Sequence, residues 1–188
     1  MKTALASLAI AAGALMATGA NASVLLNLTD APVQSNTPYA LQFTATGGAV
    51  TLSVGGYQLT STEQATNNAV TAAGSATNLL GPSWVYTRAP FGSLAIAYND
   101  GTSVPGLDFA GLTVGSYDVF SQTFATTPGA TYTYNFNFTE RYTGPSGFEV
   151  SAAGAAVPEP ATWGLMLLGV GGLGLALRAG RKTAAAAI

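Results

Sequence analysis

The chain has 188 residues, of which only 7% are Asp, Glu, Lys or Arg, and it contains neither cysteine nor histidine. These absences exclude Ser-His-Asp and Cys-His nucleophiles, histidine-ligated zinc and disulfide bonds. Residues 23–157 carry seven acidic side chains and two arginines, so this part of the chain lacks the basic footprint that nucleic-acid binding requires.

The first 22 residues predict a cleavable signal peptide. Lys2 supplies a short positive region and residues 4–16 form an uncharged apolar run. Ala20 and Ala22 then place small side chains at the two positions that a signal peptidase reads, so cleavage is expected between Ala22 and Ser23. A retained membrane anchor is the alternative, but the apolar run is shorter than the ~20 residues that a spanning helix needs.

The middle of the chain has the period-two pattern of β-strands. The clearest example is Thr131–Thr139, where four aromatic residues alternate with threonine and asparagine, which predicts a strand with one buried face. Residues 117–125 form a second strand pattern, and Thr127-Pro128-Gly129 between them predicts a hairpin. Asn99-Asp100-Gly101 predicts another tight turn. The remaining predicted strands are 24–28, 39–46, 50–54, 94–98 and 148–152.

Many short strands separated by turns predict an all-β fold, an antiparallel two-sheet sandwich with the jelly roll as the favoured topology. We expect this domain to span residues 23–152. Residues 61–80 are rich in Thr, Asn and Ala without a clear period, and this predicts a long loop that includes a short helix. The small residues of 151–157 predict a linker, placed at 153–157 after the last strand.

Residues 158–188 predict a membrane-inserted C-terminal signal. Positions 161–177 carry no charge, and 17 residues make a helix of about 25 Å, slightly short of the ~30 Å hydrocarbon layer. Trp163 suits the membrane interface, and a basic stop at 178–182 contains Arg178, Arg181 and Lys182. Basic residues favour the cytoplasmic side, which would leave the domain in the periplasm. A plain permanent anchor is the alternative.

Pro158-Glu159-Pro160, Trp163, the glycine-rich apolar segment and the basic cluster together resemble the PEP-CTERM sorting signal of Gram-negative bacteria. The resemblance implies that an exosortase, an integral-membrane transpeptidase, recognises the Pro-Glu-Pro motif and cuts in this region. The protein would then pass from a transient inner-membrane anchor to the cell surface. Each proline fixes φ and removes a backbone donor, so the motif is expected to be extended.

Residues 121–138 resemble a hairpin of galactose-binding-like jelly-roll modules in bacterial surface proteins. Some relatives of that fold bind carbohydrate. The alternating aromatics of 131–139 are expected to fill the core instead. Trp84 and Tyr86, in a loop-rich stretch, are the candidates for a platform that stacks on a sugar ring, although a tryptophan there more often belongs to the core.

Asp100, Asp108 and Asp118 are candidate ligands for a calcium ion at a loop end, with solvated turn carboxylates as the alternative. No other cofactor is predicted. The acidic residues also supply carboxylate pairs for a glycosidase, but their spacing selects none.

Three functions are compatible with these patterns. The first is a structural or adhesive protein of the cell surface, biofilm and exopolysaccharide matrix. A carbohydrate-binding module comes second and a carboxylate-based glycosidase third. Because the glycosidase ranks last of the three, we expect no enzymatic activity.

Overall fold

The chain folds into two antiparallel β-sheets packed face to face. The computed structural model describes residues 22–90 and 94–156. One sheet has the strand order β1-β10-β3-β8-β5 and the other β11-β2-β9-β4-β7-β6. The strands are β1 (Ala22–Thr29), β2 (Gln34–Ala45), β3 (Ala49–Gln58), β4 (Glu63–Ala72), β5 (Val85–Thr87), β6 (Leu94–Tyr98), β7 (Gly106–Ala110), β8 (Asp118–Ala125), β9 (Thr131–Glu140), β10 (Ser146–Ala153) and β11 (Ala155–Ala156).

The strand pairing is that of a jelly roll. β1, β2, β3 and β4 pair antiparallel with β10, β9, β8 and β7 in turn. A chain folded back on itself in this way alternates between the two sheets, which produces nested Greek keys. β5 and β6 extend one edge of each sheet, and β11 extends the opposite edge of the six-stranded sheet.

Aromatic rings from alternate positions of β9 dominate the interior. Tyr132, Tyr134, Phe136 and Phe138 are all nearly or completely buried. Phe148 on the opposite sheet reaches across to them, with ring centroids 4.6 Å from Phe138 and 5.6 Å from Phe136. Aromatic pairs gain stabilisation beyond simple area burial at such distances. The prediction that these rings fill the core is confirmed.

The predicted strands are confirmed, and 94–98 coincides with β6 at both ends. The predicted turn after β6 is also present. Gly101 has a φ of 89°, a left-handed conformation that glycine adopts without steric cost, and its N–H donates to Asn99 Oδ1 at 2.9 Å. The chain then returns as β7, which pairs with β6.

The predicted hairpin between 117–125 and 131–139 is wrong. β8 belongs to the five-stranded sheet and β9 to the six-stranded sheet, so the turn at Gly129 carries the chain from one sheet to the other. Turn residues fix a change of direction, but they do not fix which sheet the next strand joins. β9 pairs instead with β2 and β4, one on each side.

The predicted loop and helix at 61–80 are also wrong in their first half, because residues 63–72 form β4 at the centre of the six-stranded sheet. Two features mask the strand pattern. Three of its buried positions carry polar or small residues, namely Glu63, Ala65 and Asn68. A bulge near Asn67, which has a φ of 54°, interrupts the alternation.

The predicted linker at 153–157 begins inside the sandwich. β10 continues to Ala153, and after Gly154 the chain pairs with β2 as β11. The small side chains that predicted flexibility fit instead against the core, where Ala155 is 6% exposed.

Several predictions concern residues outside the described ranges. These are the signal peptide up to residue 21, Pro158, Glu159, Pro160 and Trp163, the helix at 161–177 and the basic stop at 178–182. Between residues 22 and 90 and between 94 and 156, no helix is long and apolar enough to cross a membrane.

Candidate functional site

The outer surface of the six-stranded sheet is mostly polar over β9, β4, β7 and the end of β6, and this part is called the polar face below. Exposed apolar side chains of β6, Leu94 and Ile96, lie at its edge. Because the aromatic positions of β9 point inward, the positions between them point outward, and the same alternation applies to the paired strands. Strand pairing brings residues from four strands and the end of β9 together on this face. They are Asn135 and Asn137 from β9, Gln64 and Thr66 from β4, Asp108 from β7, Tyr98 from β6, and Arg141 directly after β9.

One half of the polar face is a shallow depression with a volume of about 460 Å³. Asn67, Asn135 and Asn137 supply three side-chain amides, and Pro38 and Ala40 supply apolar surface next to them. The amides of Asn135 and Asn137 make no side-chain hydrogen bond with any other described residue, and both residues are half-buried. Each amide offers two donors and one acceptor, so this half can bind hydroxyl groups.

A chain of polar contacts crosses the other half of the polar face. Gln64 Nε2 donates to Asp108 Oδ2 at 3.2 Å, and Arg141 Nη2 donates to Gln64 Oε1 at 3.1 Å. The second oxygen of Asp108, Oδ1, is buried and has no hydrogen-bond partner among the described residues. The contacts fix the orientation of the amide and the guanidinium, so few rotamers would have to be frozen when a ligand binds.

Tyr98 lies flat at the edge of the polar face. Its ring covers Gly106, where an added Cβ would come within 2.9 Å of Tyr98 Cζ. Partial burial raises the pKa of the Tyr98 hydroxyl, and the nearby carboxylates of Asp108 and Asp100 act in the same direction, while Arg141 opposes them. Tyr98 therefore presents a half-exposed aromatic ring, and its neutral hydroxyl group lies near the carboxylates of Asp108 and Asp100.

Asp100 anchors the β6–β7 loop to the bulge of β4. Its Oδ2 accepts a hydrogen bond from the Asn67 N–H at 3.1 Å, and its Oδ1 accepts one from the Thr102 N–H at 3.0 Å. Partial burial alone would raise the pKa of Asp100. The hydrogen bonds from Thr102 and Asn67 outweigh this effect and lower the pKa below its usual value. These hydrogen bonds give the Asp100 carboxylate a structural role in the turn.

Trp84 and Tyr86, the predicted sugar platform, lie away from the polar face on or beside β5. Trp84 is half-buried and packs against the core, and its Nε1 has no partner among the described residues. Tyr86 is 40% exposed; its ring packs on Phe120 and its hydroxyl donates to Asp118 Oδ1 at 3.0 Å. Each is thus held by contacts within the domain. A ligand role for these two residues stays a prediction.

The three aspartates predicted to bind calcium do not gather at one place. Asp118 is completely buried on the five-stranded sheet, where its Oδ1 also accepts the Ala89 N–H at 2.7 Å. Asp108 belongs to the other sheet, and the carboxylate of Asp100 accepts a hydrogen bond from Thr102 within the β6–β7 loop. No group of three or more acidic, histidine or cysteine residues suitable for a metal ion occurs in ranges 22–90 and 94–156.

A second acidic arrangement lies inside the sandwich. Glu63 on β4 and Glu140 on β9 are direct cross-strand partners, and both are completely buried. Gln58 Nε2 donates to Glu140 Oε1 at 2.8 Å. Glu140 Oε2 and both carboxyl oxygens of Glu63 have no hydrogen-bond partner among the described residues. Like charges in such a position destabilise a sheet, so one of the two carboxyl groups should be neutral.

Burial raises the pKa of Glu63 to about 10, and the charges of Glu140 and Asp108 add to the rise. The nearby backbone of Tyr57 lowers it in part, without a full hydrogen bond. Glu63 is therefore protonated at neutral pH. Because the pair is sealed from solvent, a polymeric substrate cannot reach it.

No sequence motif marks the polar face as a site. Alternation in 131–139 was enough to place Asn135 and Asn137 outward, but it did not show which strands lie beside them. Gln64 lies in a segment predicted as a loop, and the sequence predicts Asp108 as a candidate calcium ligand, without placing it next to Gln64. These residues meet only because β4 pairs with β7 on one side and with β9 on the other.

Comparison with known proteins identifies the C-terminal segment. Residues 156–182 match the family described as the PEP-CTERM protein-sorting motif. No curated protein and no solved structure matches the chain, and the resemblance to galactose-binding-like modules is not confirmed. The matched range contains the Pro-Glu-Pro motif, Trp163 and the basic residues Arg178, Arg181 and Lys182. The matched segment is thus a PEP-CTERM sorting motif, and it indicates an extracellular or surface protein that is targeted to an exosortase.

Proposed function

We propose that the protein is an adhesive component of the cell surface and biofilm, which binds exopolysaccharide through the polar face after exosortase has processed it. On this account signal peptidase first removes residues 1–22. The segment 161–177 then holds the domain on the periplasmic side of the inner membrane until exosortase cuts near Pro158. The released domain remains with the exopolysaccharide outside the cell.

The observation that carries the proposal is a set of amides on the polar face that have no side-chain hydrogen-bond partner among the described residues. Asn135 and Asn137 point outward from neighbouring positions of one strand face, about 7 Å apart along β9. Polysaccharides offer many hydroxyl groups that both donate and accept hydrogen bonds, and side-chain amides match both roles. A long sheet face can hold several sugar units at once, so that weak contacts add up along the polymer.

The charge of the domain favours a neutral polysaccharide. Residues 23–157 contain seven acidic residues and two arginines, and Arg141 is the one cation that contacts the polar face in the described residues. An anionic polymer would meet net repulsion from such a domain. Neutral hydroxyl-rich chains carry no such penalty.

A glycosidase receives less support than a binding protein. A glycosidase needs two carboxyl groups that flank the glycosidic bond. Glu63 and Glu140 face each other directly, but both are completely buried. On the polar face Asp108 is the one carboxylate that joins the polar contacts described above, and it is already bonded to Gln64. We therefore propose a non-catalytic role.

The test is binding of the purified full-length protein to the neutral exopolysaccharide fraction of the producing cells. Replacing Asn135 and Asn137 together by alanine should weaken binding by about thirtyfold, since two lost hydrogen bonds at roughly 1 kcal/mol each total about 2 kcal/mol. Asn27→Ala is the matched control, because Asn27 also points outward from a strand but lies on the opposite sheet. Equal binding by wild type and the double variant would disprove the role of the polar face.

A further inference from the structure

The last described residues hold the start of the sorting motif against the sandwich. At Gly154 the chain crosses from β10 in one sheet to β11 in the other. Gly154 has a φ of 79°, and an added Cβ would lie 2.8 Å from the carbonyl oxygen of Ala49. Its own carbonyl accepts the Thr46 N–H at 2.9 Å. The crossing is therefore tight and requires glycine.

β11 consists of Ala155 and Ala156, which pair with Ala45 and Thr44 of β2. Ala156 is also the first residue of the matched sorting motif. The motif thus begins within a hydrogen-bonded strand, without an intervening linker. β11 is short, and Ala155 is its one buried side chain, so few interactions hold it in place.

One of these interactions comes from the other end of the chain. Ser23 Oγ donates a hydrogen bond to the Ala155 carbonyl at 2.8 Å, across 132 positions of sequence. Ser23 is the predicted first residue of the mature protein after signal-peptide cleavage. It lies on β1, where it pairs with Ala152 of β10. The two ends of the folded domain therefore meet at one place.

We propose that this bond is a latch, and that β11 must detach from β2 before exosortase can cut. The inference rests on the proposed processing by exosortase. Proteases generally act on locally opened, extended chain, and their rate follows the population of the open form when opening is fast. Ser23 is a positioning residue in this scheme: it determines how often the start of the motif is available.

The experiment compares the full-length wild type with Ser23→Ala in cells that contain the exosortase. Loss of one hydrogen bond should raise the detached population of β11 by about fivefold. We expect pulse-chase labelling to show processing about five times faster. Hydrogen exchange of the purified full-length variant should show a similar acceleration at residues 155 and 156. Ser151→Ala, in β10 on the outer side of the same sheet, is the matched control.

A second variant keeps the test independent of signal-peptide cleavage. Gly154→Ala strains the crossing at a positive φ and should also accelerate processing, whereas Gly129→Ala has a similar φ of 80° with open space around it and should not. N-terminal mass analysis checks that Ser23→Ala is still cleaved after residue 22. Unchanged exchange in β11, or faster exchange with unchanged processing, would overturn the latch. Processing that does not depend on exosortase would instead overturn the proposed function.

Discussion

Glu63 is expected to make the protein less stable as the pH rises. Its carboxyl group is completely buried without a hydrogen-bond partner among the described residues, and its pKa is raised to about 10 from an ordinary 4.5. In the unfolded chain the group loses its proton above pH 4.5, whereas in the folded protein it keeps it up to about pH 10. Unfolding therefore releases a proton throughout this window, and the folded state loses about 1.4 kcal/mol of stability for each pH unit.

Glu63→Gln removes this dependence because an amide stays neutral at every pH. Between pH 4.5 and 7 the free energy of unfolding of the wild type falls by about 3 kcal/mol because of Glu63. The variant should therefore be more stable than wild type by that amount at pH 7 and similar to it at pH 4.5. An amide at position 63 can also donate to Glu140 Oε2, which has no hydrogen-bond partner in the described part of the chain, and this strengthens the expected gain.

The assay is urea unfolding of the purified full-length protein and its variants at pH 4.5, 7 and 9. Glu149→Gln is the matched control, since this half-buried carboxylate lies on the outer face of the five-stranded sheet next to Asn27. Its free energy of unfolding at pH 7 should match that of wild type. A Glu63→Gln variant that is less stable than wild type at pH 7, or whose free energy of unfolding differs from that of wild type by the same amount at every pH, would show that Glu63 is not a buried neutral carboxyl group.

Two further predictions concern packing. Gly56→Ala should lower the free energy of unfolding in urea by about 2 kcal/mol, because the added Cβ would lie 2.8 Å from Phe109 Cγ and against the Glu63 carboxyl group. Gly48→Ala is the control: the space around Gly48 is open, so its stability should change little. Trp84→Ala should lower stability by roughly 2 kcal/mol and leave exopolysaccharide binding unchanged, because the side chain packs on the core. Loss of binding without loss of stability would instead make Trp84 the sugar platform.

The fold was predictable from the sequence where alternation was strong. Phe136 and Phe138 lie in a strand whose polar and aromatic positions alternate without interruption, and both its bounds and its buried face followed from that pattern. β4 was not predictable, because Glu63 and Asn68 occupy buried positions and the bulge at Asn67 shifts the alternation. The folded protein accommodates both polar side chains in its interior. Asn68 Oδ1 accepts a hydrogen bond from the Tyr134 hydroxyl at 2.6 Å, and Glu63 stays protonated.

The sorting motif and the polar face differ in what a sequence can reveal about them. The motif is linear, so its prolines, tryptophan and basic residues could be recognised in order, and the family match at 156–182 bears this out. The polar face depends on long-range pairing, since Gln64, Asp108 and Asn137 are separated by tens of residues. Local turn signals do not determine such pairing, as the wrong hairpin of β8 and β9 illustrates.

The most direct test of the account is the distribution of mature protein between the exopolysaccharide fraction and the free medium, with the mass of each form measured. We expect wild-type protein to lack residues 163–188 and to sediment with the polysaccharide, whereas the Asn135→Ala, Asn137→Ala variant should be cut in the same way but remain in the free medium. Wild-type protein that retains residues 163–188, or a cut variant that sediments as wild type does, would contradict it.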